Sequence, residues 1–225
     1  MKIKLIIFDL DGTLVNSSAD ITNALNYAIG PYGFEQLTVE KTISLVGEGI
    51  SRLIEKLVGQ QSADLKATNL KDVVLKRFLE YYSEHLTDLT VPYPGVSETL
   101  EMLGDYRKAV ISNKREDLSR RLLEKLGLSG YFDVIWGSDS VPEKKPSPAP
   151  VLEMLKKISC GPEEAVMVGD SNYDIEAGRA AGVRTVAVSY GYRHVSLLKE
   201  ADFIIDNMKE LIFKLDLLNA KWYEN

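Results

Sequence analysis

The sequence predicts an α/β fold in which a parallel sheet is interrupted once by an all-helical segment. Short, continuously apolar runs rich in β-branched residues recur along the chain. Such runs are typical of strands that are buried on both faces of a parallel sheet. Segments with helical periodicity lie between most of them, and this alternation indicates an α/β arrangement. One long interval near the start has helical periodicity alone, which predicts a helical insert.

The elements of the predicted core are short and alternate in type. The runs predicted as strands are 5–8, 109–111, 134–136, 165–168, 185–188 and 203–205. The helices predicted between them are 97–103, 118–126, 150–158 and 173–181. Gly127 and Gly182 follow two of these helices, as glycine often does at a helix C-terminus. The pattern therefore predicts helices that connect parallel strands.

Residues 16–90 form the predicted insert, a helical cap domain. Its helical periods cover 19–29, 39–46, 50–58 and a stretch near 65–85. The chain returns through Val-Pro-Tyr-Pro-Gly-Val, whose prolines and glycine suit a stiff hinge. Residues 1–15 and 91–225 are therefore predicted to form the α/β core.

The composition restricts the classes of partner. The 225 residues carry a formal net charge of -6, and such a surface repels nucleic acid and anionic lipid. We expect no nucleic acid and no membrane as partner, and a small anionic substrate then needs a local positive site or a metal ion.

Cys160 is the single cysteine, which excludes an intramolecular disulfide and favours a reducing, cytoplasmic location. No apolar stretch approaches the roughly 20 residues of a transmembrane helix.

Two acidic stretches follow predicted strands. Asp9 and Asp11, with Gly12 and Thr13, come directly after the first strand; Gly12 permits a sharp turn. A polar turn alone would explain one aspartate, but two there repel each other unless a cation is present. The second stretch contains Asp170 before a Ser-x-x-Asp capping box that ends at Asp174. The carboxyl ends of parallel strands share one edge, so these four carboxylates predict a site for a hard divalent cation.

Two further stretches supply candidate phosphate ligands. Ser112 and Asn113 lie after a strand and before a helix, where a hydroxyl and helix N-terminal N–H groups suit an anion. Both are also ordinary N-cap residues. Lys144 and Lys145 precede Pro146 on a loop that would otherwise be a solvated surface. With four carboxylates nearby, one ammonium would offset charge and contact a phosphate.

These four stretches, in this order, resemble the motifs of the haloacid dehalogenase superfamily over nearly the whole chain. The matching segments are Asp-Leu-Asp-Gly-Thr, Ser-Asn, the lysine of Lys-Pro-Ser-Pro, and Gly-Asp-Ser-x-x-Asp. The resemblance implies a Rossmann-like core with a type-1 helical cap, which is expected to close over the site. Within the superfamily, the core segments VPYPGVSETL, VISNK, KKPSPAP and YGY look most like phosphoglycolate phosphatases, and Val-Gly-Glu-Gly-Ile in the insert is similar to their cap.

The resemblance also implies a mechanism: Mg²⁺-dependent hydrolysis of a phosphomonoester through an aspartyl-phosphate. Asp9 would be the nucleophile, and Asp11 the acid that becomes the base. The implied Mg²⁺ ligands are Asp9, the Asp11 carbonyl and Asp170, with Asp174 in support. The implied phosphate ligands are Gly12, Thr13, Ser112, Asn113 and Lys145. Pro146 directly follows Lys145, which favours Lys145 over Lys144 as the lysine of the motif.

Substrate contacts from the insert are expected near Gly47, Glu48, Gly49 and Arg52. Arg52 suits a substrate carboxylate. The competing interpretation, a helix boundary with a solvated arginine, stays equally open.

The best guess for the substrate is phosphoglycolate, within the class of small phosphorylated metabolites. The alternatives are a pyrophosphatase or sugar-phosphate phosphatase, then a phosphomutase, then a non-catalytic binding protein on the same fold. Asp11 disfavours dehalogenation, because dehalogenases of the family lack that aspartate. Asn16 and Ser147 depart from the family pattern, where aspartate and histidine are common, and they weaken the substrate assignment. A monomer and a homodimer are both open.

Overall fold

The computed structural model describes residues 2–61 and 67–220. The chain forms two compact units. The first comprises Met1–Asn16 with Val91–Asn225, and the second comprises Ser17–Thr90. None of the helices described is long and apolar enough to cross a membrane.

The first unit is built on a six-stranded parallel sheet, which confirms the predicted α/β class. The strands in chain order are β1 (Leu5–Phe8), β2 (Val15–Asn16), β3 (Val91–Pro92), β4 (Arg107–Ile111), β5 (Val134–Trp136), β6 (Ala165–Gly169), β7 (Arg184–Val188) and β8 (Phe203–Ile205). The sheet order is β5-β4-β1-β6-β7-β8, and β2 pairs with β3 in a separate antiparallel ladder. The strand order reverses between β1 and β6, so their carboxyl ends flank the crevice where such sheets bind ligands.

Helices connect these strands, as the alternation predicted. They are α5 (Val96–Met102), α6 (Glu116–Lys125), α7 (Ala149–Ile158) and α8 (Asn172–Ala180). A further helix, α9 (Glu210–Ala220), follows the last strand and was not predicted. All four residues of β1 are fully buried, because helices cover both faces of the central strands. Leu5 and Ile7 pack in one apolar cluster with Met154 of α7 and Met167 of β6. The core thereby holds the end of β1 in a fixed position.

The second unit is entirely helical in the residues that can be described. Its helices are α1 (Ser18–Ile29), α2 (Val39–Leu45), α3 (Ile50–Gln61) and α4 (Ala67–Glu84). α4 packs against α1 and α3, and Leu25, Ile54 and Phe78 are buried there. The predicted start of the last helical period, at Leu65 and Lys66, lies outside the described residues.

A buried carboxylate ties the two ends of this helical unit together. Asp20, in the first turn of α1, is 1% exposed. It accepts hydrogen bonds from the amides of Leu89 (3.0 Å) and Thr90 (2.8 Å) and from the Thr90 hydroxyl (2.6 Å). Asn16, predicted as part of the helical segment, instead pairs with Val91 in the β2–β3 ladder.

Candidate active site

Asp9 lies immediately after β1, and a buried lysine contacts its carboxylate. The Asp9 backbone amide donates to the Val168 carbonyl of β6 at 2.9 Å, which extends the sheet by one residue. The Asp9 side chain is 11% exposed and its Oδ1 lies 2.7 Å from the Lys145 ammonium. Lys145 also donates to Asp174 Oδ1 and to the Ile111 carbonyl, both at 2.6 Å. Its three contacts aim the ammonium at the end of β1.

Three carboxylates meet at this edge. Oxygen atoms of Asp9, Asp170 and Asp174 lie within 4.8 Å of one another, and all three residues are buried. Burial and the neighbouring carboxylates raise the pKa of Asp9 to about 7, against the lowering effect of Lys145. Burial, with Asp9 and Asp174, likewise raises the pKa of Asp170 well above its usual range.

Lys145 balances only part of this negative charge. Burial alone would lower the pKa of Lys145, but Asp174 and Asp9 raise it to about 12, so the ammonium stays charged. One positive charge thus faces three buried carboxyl groups. Clustered carboxylate oxygens with excess negative charge fit a hard divalent cation such as Mg²⁺. The residues present therefore fit the metal that the resemblance implies.

The Asp170 side chain is held by a loop that follows β7. The Tyr192 amide donates to Asp170 Oδ2 at 2.6 Å, and the Thr13 hydroxyl lies 3.4 Å from Oδ1. Gly12, at φ +94°, and Gly191 both pack against Asp170 so closely that a Cβ at either would overlap its side chain. The two glycines allow the backbone to enclose this carboxylate from two sides.

Asp174 has a structural role as well as a place in the acidic cluster. Its Oδ2 accepts from the Ser171 amide (3.0 Å) and hydroxyl (2.6 Å), which completes the predicted capping box of α8. Its Oδ1 faces Lys145. The cap thus fixes the rotamer that presents Asp174 to Lys145.

The predicted phosphate ligands also lie at this edge. Ser112 follows β4 and is 3% exposed. Asn113 Nδ2 donates to the Lys145 carbonyl at 2.9 Å, which links the loops after β4 and β5. The Gly12 amide donates to the Val15 carbonyl at 2.9 Å and the Thr13 amide to the Leu10 carbonyl at 3.3 Å. Those two N–H groups are engaged in the turn after β1.

Asp11 has a lysine partner that the sequence did not predict. The Lys114 ammonium lies 2.7 Å from Asp11 Oδ1 and 2.8 Å from Oδ2. The two side chains are 7% and 12% exposed, respectively. Each aspartate of the first motif therefore has its own ammonium, Lys145 for Asp9 and Lys114 for Asp11.

Known proteins share this sequence and this architecture. A family model described as haloacid dehalogenase-like hydrolase matches residues 6–188. The phosphoglycolate phosphatase of Aquifex aeolicus is 38% identical over 216 residues, which cover 95% of this chain and 97% of that protein. The phosphoglycolate phosphatase of Chromobacterium violaceum is 40% identical over 211 residues, covering 93% and 95% of the two chains.

The chain belongs to the haloacid dehalogenase-like hydrolase family. A solved structure described as a predicted phosphoglycolate phosphatase from Haemophilus somnus is similar to it in fold, with a TM-score of 0.88 and 32% identity. The match covers 95% of this chain and 98% of that one. The chain is therefore an enzyme of the hydrolase class, and its family membership confirms the resemblance identified from the four motifs.

The candidate substrate contacts of this hydrolase lie at the start of α3. Gly47 and Gly49 have φ values of +131° and +83°, which favour glycine. Arg52 of α3 lies 2.8 Å from Glu55 and 3.7 Å from Glu48, and its side chain is 53% exposed. Whether these residues contact substrate stays a prediction.

Four residues of the hydrolase site were not predicted. Lys114 contacts Asp11, while Gly191 and Tyr192 enclose Asp170. The Tyr190 hydroxyl donates to the Thr13 carbonyl at 3.0 Å, and burial raises the pKa of Tyr190. In the sequence, these four residues are visible only as the lysine that follows Ser-Asn and as the Tyr-Gly-Tyr segment after a predicted strand. Neither segment indicates which aspartate or carbonyl its residues contact.

Proposed function

We propose that this hydrolase cleaves phosphomonoesters, with Asp9 as the nucleophile that accepts the phosphoryl group. The observation that supports this most is the Asp9 carboxylate itself. It lies at the carboxyl end of the central strand, 2.7 Å from a buried ammonium and beside two further buried carboxylates. A carboxylate in this setting meets the requirements of a nucleophile whose anionic substrate is held by nearby cations.

In the first proposed step, an Asp9 carboxylate oxygen attacks phosphorus. The bond between phosphorus and the leaving oxygen breaks, and that oxygen takes a proton from Asp11. The product alcohol departs, and an aspartyl-phosphate remains. The Lys145 ammonium, 2.7 Å from Asp9 Oδ1, is placed to stabilise phosphoryl oxygens as negative charge shifts during the transfer.

In the second proposed step, Asp11 takes a proton from a water molecule. The water oxygen attacks phosphorus, and the bond between phosphorus and the Asp9 oxygen breaks. Inorganic phosphate leaves and the Asp9 carboxylate is regenerated. Asp11 thus returns to its protonated form, ready for the next turnover.

We infer that Mg²⁺ is the metal, held by Asp9, Asp170 and the Asp11 carbonyl, with Asp174 in support. When bound, it supplies positive charge that reduces the repulsion between Asp9 and the dianionic phosphate. The excess of carboxylates over Lys145 supports this inference. A cytoplasmic location is inferred from the single cysteine.

Phosphoglycolate is the proposed substrate, because relatives 38% and 40% identical over nearly their full length carry that name. Pyrophosphate and sugar phosphates are the nearest alternatives on the same architecture. A phosphomutase would keep the aspartates but shield the aspartyl-phosphate from water. A monomer and a homodimer both remain compatible with the proposal.

The test is a Mg²⁺-dependent screen that compares kcat/KM for phosphoglycolate, pyrophosphate and several sugar phosphates. We expect phosphoglycolate to give the highest value, and a clear preference for another compound would refute the substrate assignment. Asp9→Asn should abolish turnover of all substrates, including an aryl phosphate, with the fold intact by circular dichroism. A chelator should do the same to the native enzyme. Retained activity in purified Asp9→Asn would refute the nucleophile.

A further inference from the structure

We propose that Lys114 is a positioning residue that holds the Asp11 carboxyl group in the orientation needed for proton transfer. The proposal rests on the proposed function, in which Asp11 delivers and removes the protons. It assigns a role to a residue outside the four motifs, through its contact with Asp11 rather than with the phosphoryl group.

The contact itself is a closely aligned, largely buried ion pair. The Lys114 ammonium meets both carboxylate oxygens of Asp11, at 2.7 and 2.8 Å. The side chains are 7% and 12% exposed, whereas the surface pair Arg52–Glu55 has values of 53% and 46%. Exposed pairs hold their side chains weakly because solvent competes for both charges. The Lys114–Asp11 pair is shielded from that competition and restricts the Asp11 rotamer.

The backbone of Lys114 is held by hydrogen bonds, as its ammonium group is held by Asp11. The Lys114 amide donates to Ser112 Oγ at 3.2 Å, and its carbonyl accepts from the Ser138 amide at 2.8 Å. Gly137 packs against this segment so closely that a Cβ there would overlap the Lys114 carbonyl. The loops after β4 and β5 thus fix the backbone position of Lys114, from which its side chain extends to Asp11.

The position is unfavourable for a lysine that has no specific partner. Lys114 lies just before α6, which begins at Glu116. The N-terminus of a helix carries partial positive charge and favours anions, and Glu116 and Asp117 of the first turn follow that preference. A buried ammonium also loses its hydration. The carboxylate of Asp11 compensates both effects, which ties the lysine to that residue.

Orientation matters here because a proton donor must lie within hydrogen-bond reach of the leaving oxygen. A misplacement of about 1 Å costs on the order of 100-fold in rate. Without Lys114, the Asp11 carboxyl group loses the ammonium that contacts both of its oxygens and restricts its rotamer. The second ammonium thereby lets two carboxyl groups, two residues apart, keep separate roles.

The test begins with Lys114→Met, which keeps the length of the side chain and removes its charge. We expect kcat/KM for phosphoglycolate to fall on the order of 10- to 100-fold, with KM changed less than about threefold. The loss should be smaller for 4-nitrophenyl phosphate, whose good leaving group needs little help from a proton donor. Lys125→Met, which changes an exposed lysine in the last turn of α6, is the charge-matched control.

A double-mutant cycle makes the test specific. If Lys114 acts only through Asp11, Lys114→Met should cost nothing further in an Asp11→Asn background. Full multiplication of the two losses would overturn the proposal. So would a loss confined to KM for phosphoglycolate, since that result would make Lys114 a contact for the substrate carboxylate. Lys114→Arg should recover part of the kcat, which a role in packing alone would not predict.

Folding and the proposed function are checked separately. Urea unfolding compares each variant with the native enzyme, and if Lys114→Met fails to fold, Lys114→Gln carries the same kinetic comparisons. An active Asp9→Asn variant would refute the nucleophile assignment, while unchanged phosphoglycolate hydrolysis in Asp11→Asn would refute the acid role. Native rates in Lys114→Met, with Asp11→Asn impaired, would overturn only the role of Lys114.

Discussion

Buried carboxylates occur in both units of the molecule, but their surroundings differ. Asp20 in the helical unit is enclosed by neutral donors, which come from two consecutive residues, Leu89 and Thr90. Asp9 at the sheet edge has Lys145 on one side and other carboxylates on the other. Burial and those carboxylates raise the pKa of Asp9 to about 7, although Lys145 acts to lower it. A carboxylate that accepts hydrogen bonds from two backbone amides and a hydroxyl stabilises a chain junction. Carboxylates that repel each other form a site that is stabilised by an added cation.

Among the variants that compare the two units, the largest effect is expected from removing the Lys145 ammonium at the sheet edge. Lys145→Met leaves Asp9 and Asp174 without their shared partner, so kcat/KM should fall at least on the order of 100- to 1000-fold. The matched control is Lys144→Met, because Lys144 is exposed whereas Lys145 is 2% exposed. Steady-state kinetics with phosphoglycolate or an aryl phosphate checks this. A greater loss in Lys144→Met would move the lysine motif by one residue.

In the helical unit, removing the buried Asp20 carboxylate should lower stability rather than activity. Asp20→Ala leaves the amides of Leu89 and Thr90 without their acceptor, and we expect a loss of about 2–3 kcal/mol in the free energy of unfolding. Urea denaturation measures it. Asp20→Asn, which keeps one acceptor oxygen and the same shape, should lose less. A change within about 0.5 kcal/mol in Asp20→Ala would contradict the structural role.

An acidic side chain beside β7 extends the comparison to a partly exposed site. Asp202 accepts from the Thr185 amide (2.8 Å) and hydroxyl (3.0 Å) and pairs with Arg184 (3.0 Å). Burial would raise the pKa of Asp202, but these partners outweigh it, so the pKa lies below its usual range. Asp202→Asn should therefore cost about 1 kcal/mol at neutral pH.

The sign of the pH dependence follows from that lowered pKa. The stabilisation by Asp202 is complete above the ordinary aspartate pKa of about 3.9 and is lost as the pH falls through the lower value of the folded state. The difference between native and variant should therefore shrink in acid. Unfolding curves at pH 7, 4 and 3 measure it, and a gap that widens toward pH 3 would refute the assignment.

The smallest effect on stability is expected at the surface of the helical unit. Arg52 pairs with Glu55 and Glu48, but its side chain is 53% exposed. Arg52→Ala should change the free energy of unfolding by less than about 0.5 kcal/mol. The same variant separates the two interpretations of Arg52. A rise of about tenfold or more in KM for phosphoglycolate would assign it to the substrate, and an unchanged KM would leave it a solvated arginine.

Much of the fold was predictable because buried parallel strands leave a clear signature. The strands at 5–8, 134–136 and 203–205 match the structure residue for residue, since each is a brief apolar run between polar residues. Helix α9 was not predicted, and neither was the ladder of β2 and β3. That ladder contains only two residues per strand, too few for any periodicity.

The candidate site was predictable where its residues directly follow strands. Asp9, Ser112 and Asp170 occupy strand ends, and the carboxyl ends of parallel strands share one edge. Lys145 required the family pattern, because its loop carries no periodic signal. Lys114 directly follows the Ser-Asn stretch, yet nothing in the sequence indicates that it reaches Asp11.

The sequence by itself determined which chemical groups stand at the ends of strands, because apolar runs and the turns after them are local features. Only the tertiary structure decided which groups face each other. Lys114 and Asp11 are 103 residues apart, Lys145 and Asp9 are 136 apart, and Tyr192 and Asp170 are 22 apart. Those pairings depend on the strand order, the register beside β1 and the absence of a Cβ at Gly12 and Gly191, and no local pattern encodes them.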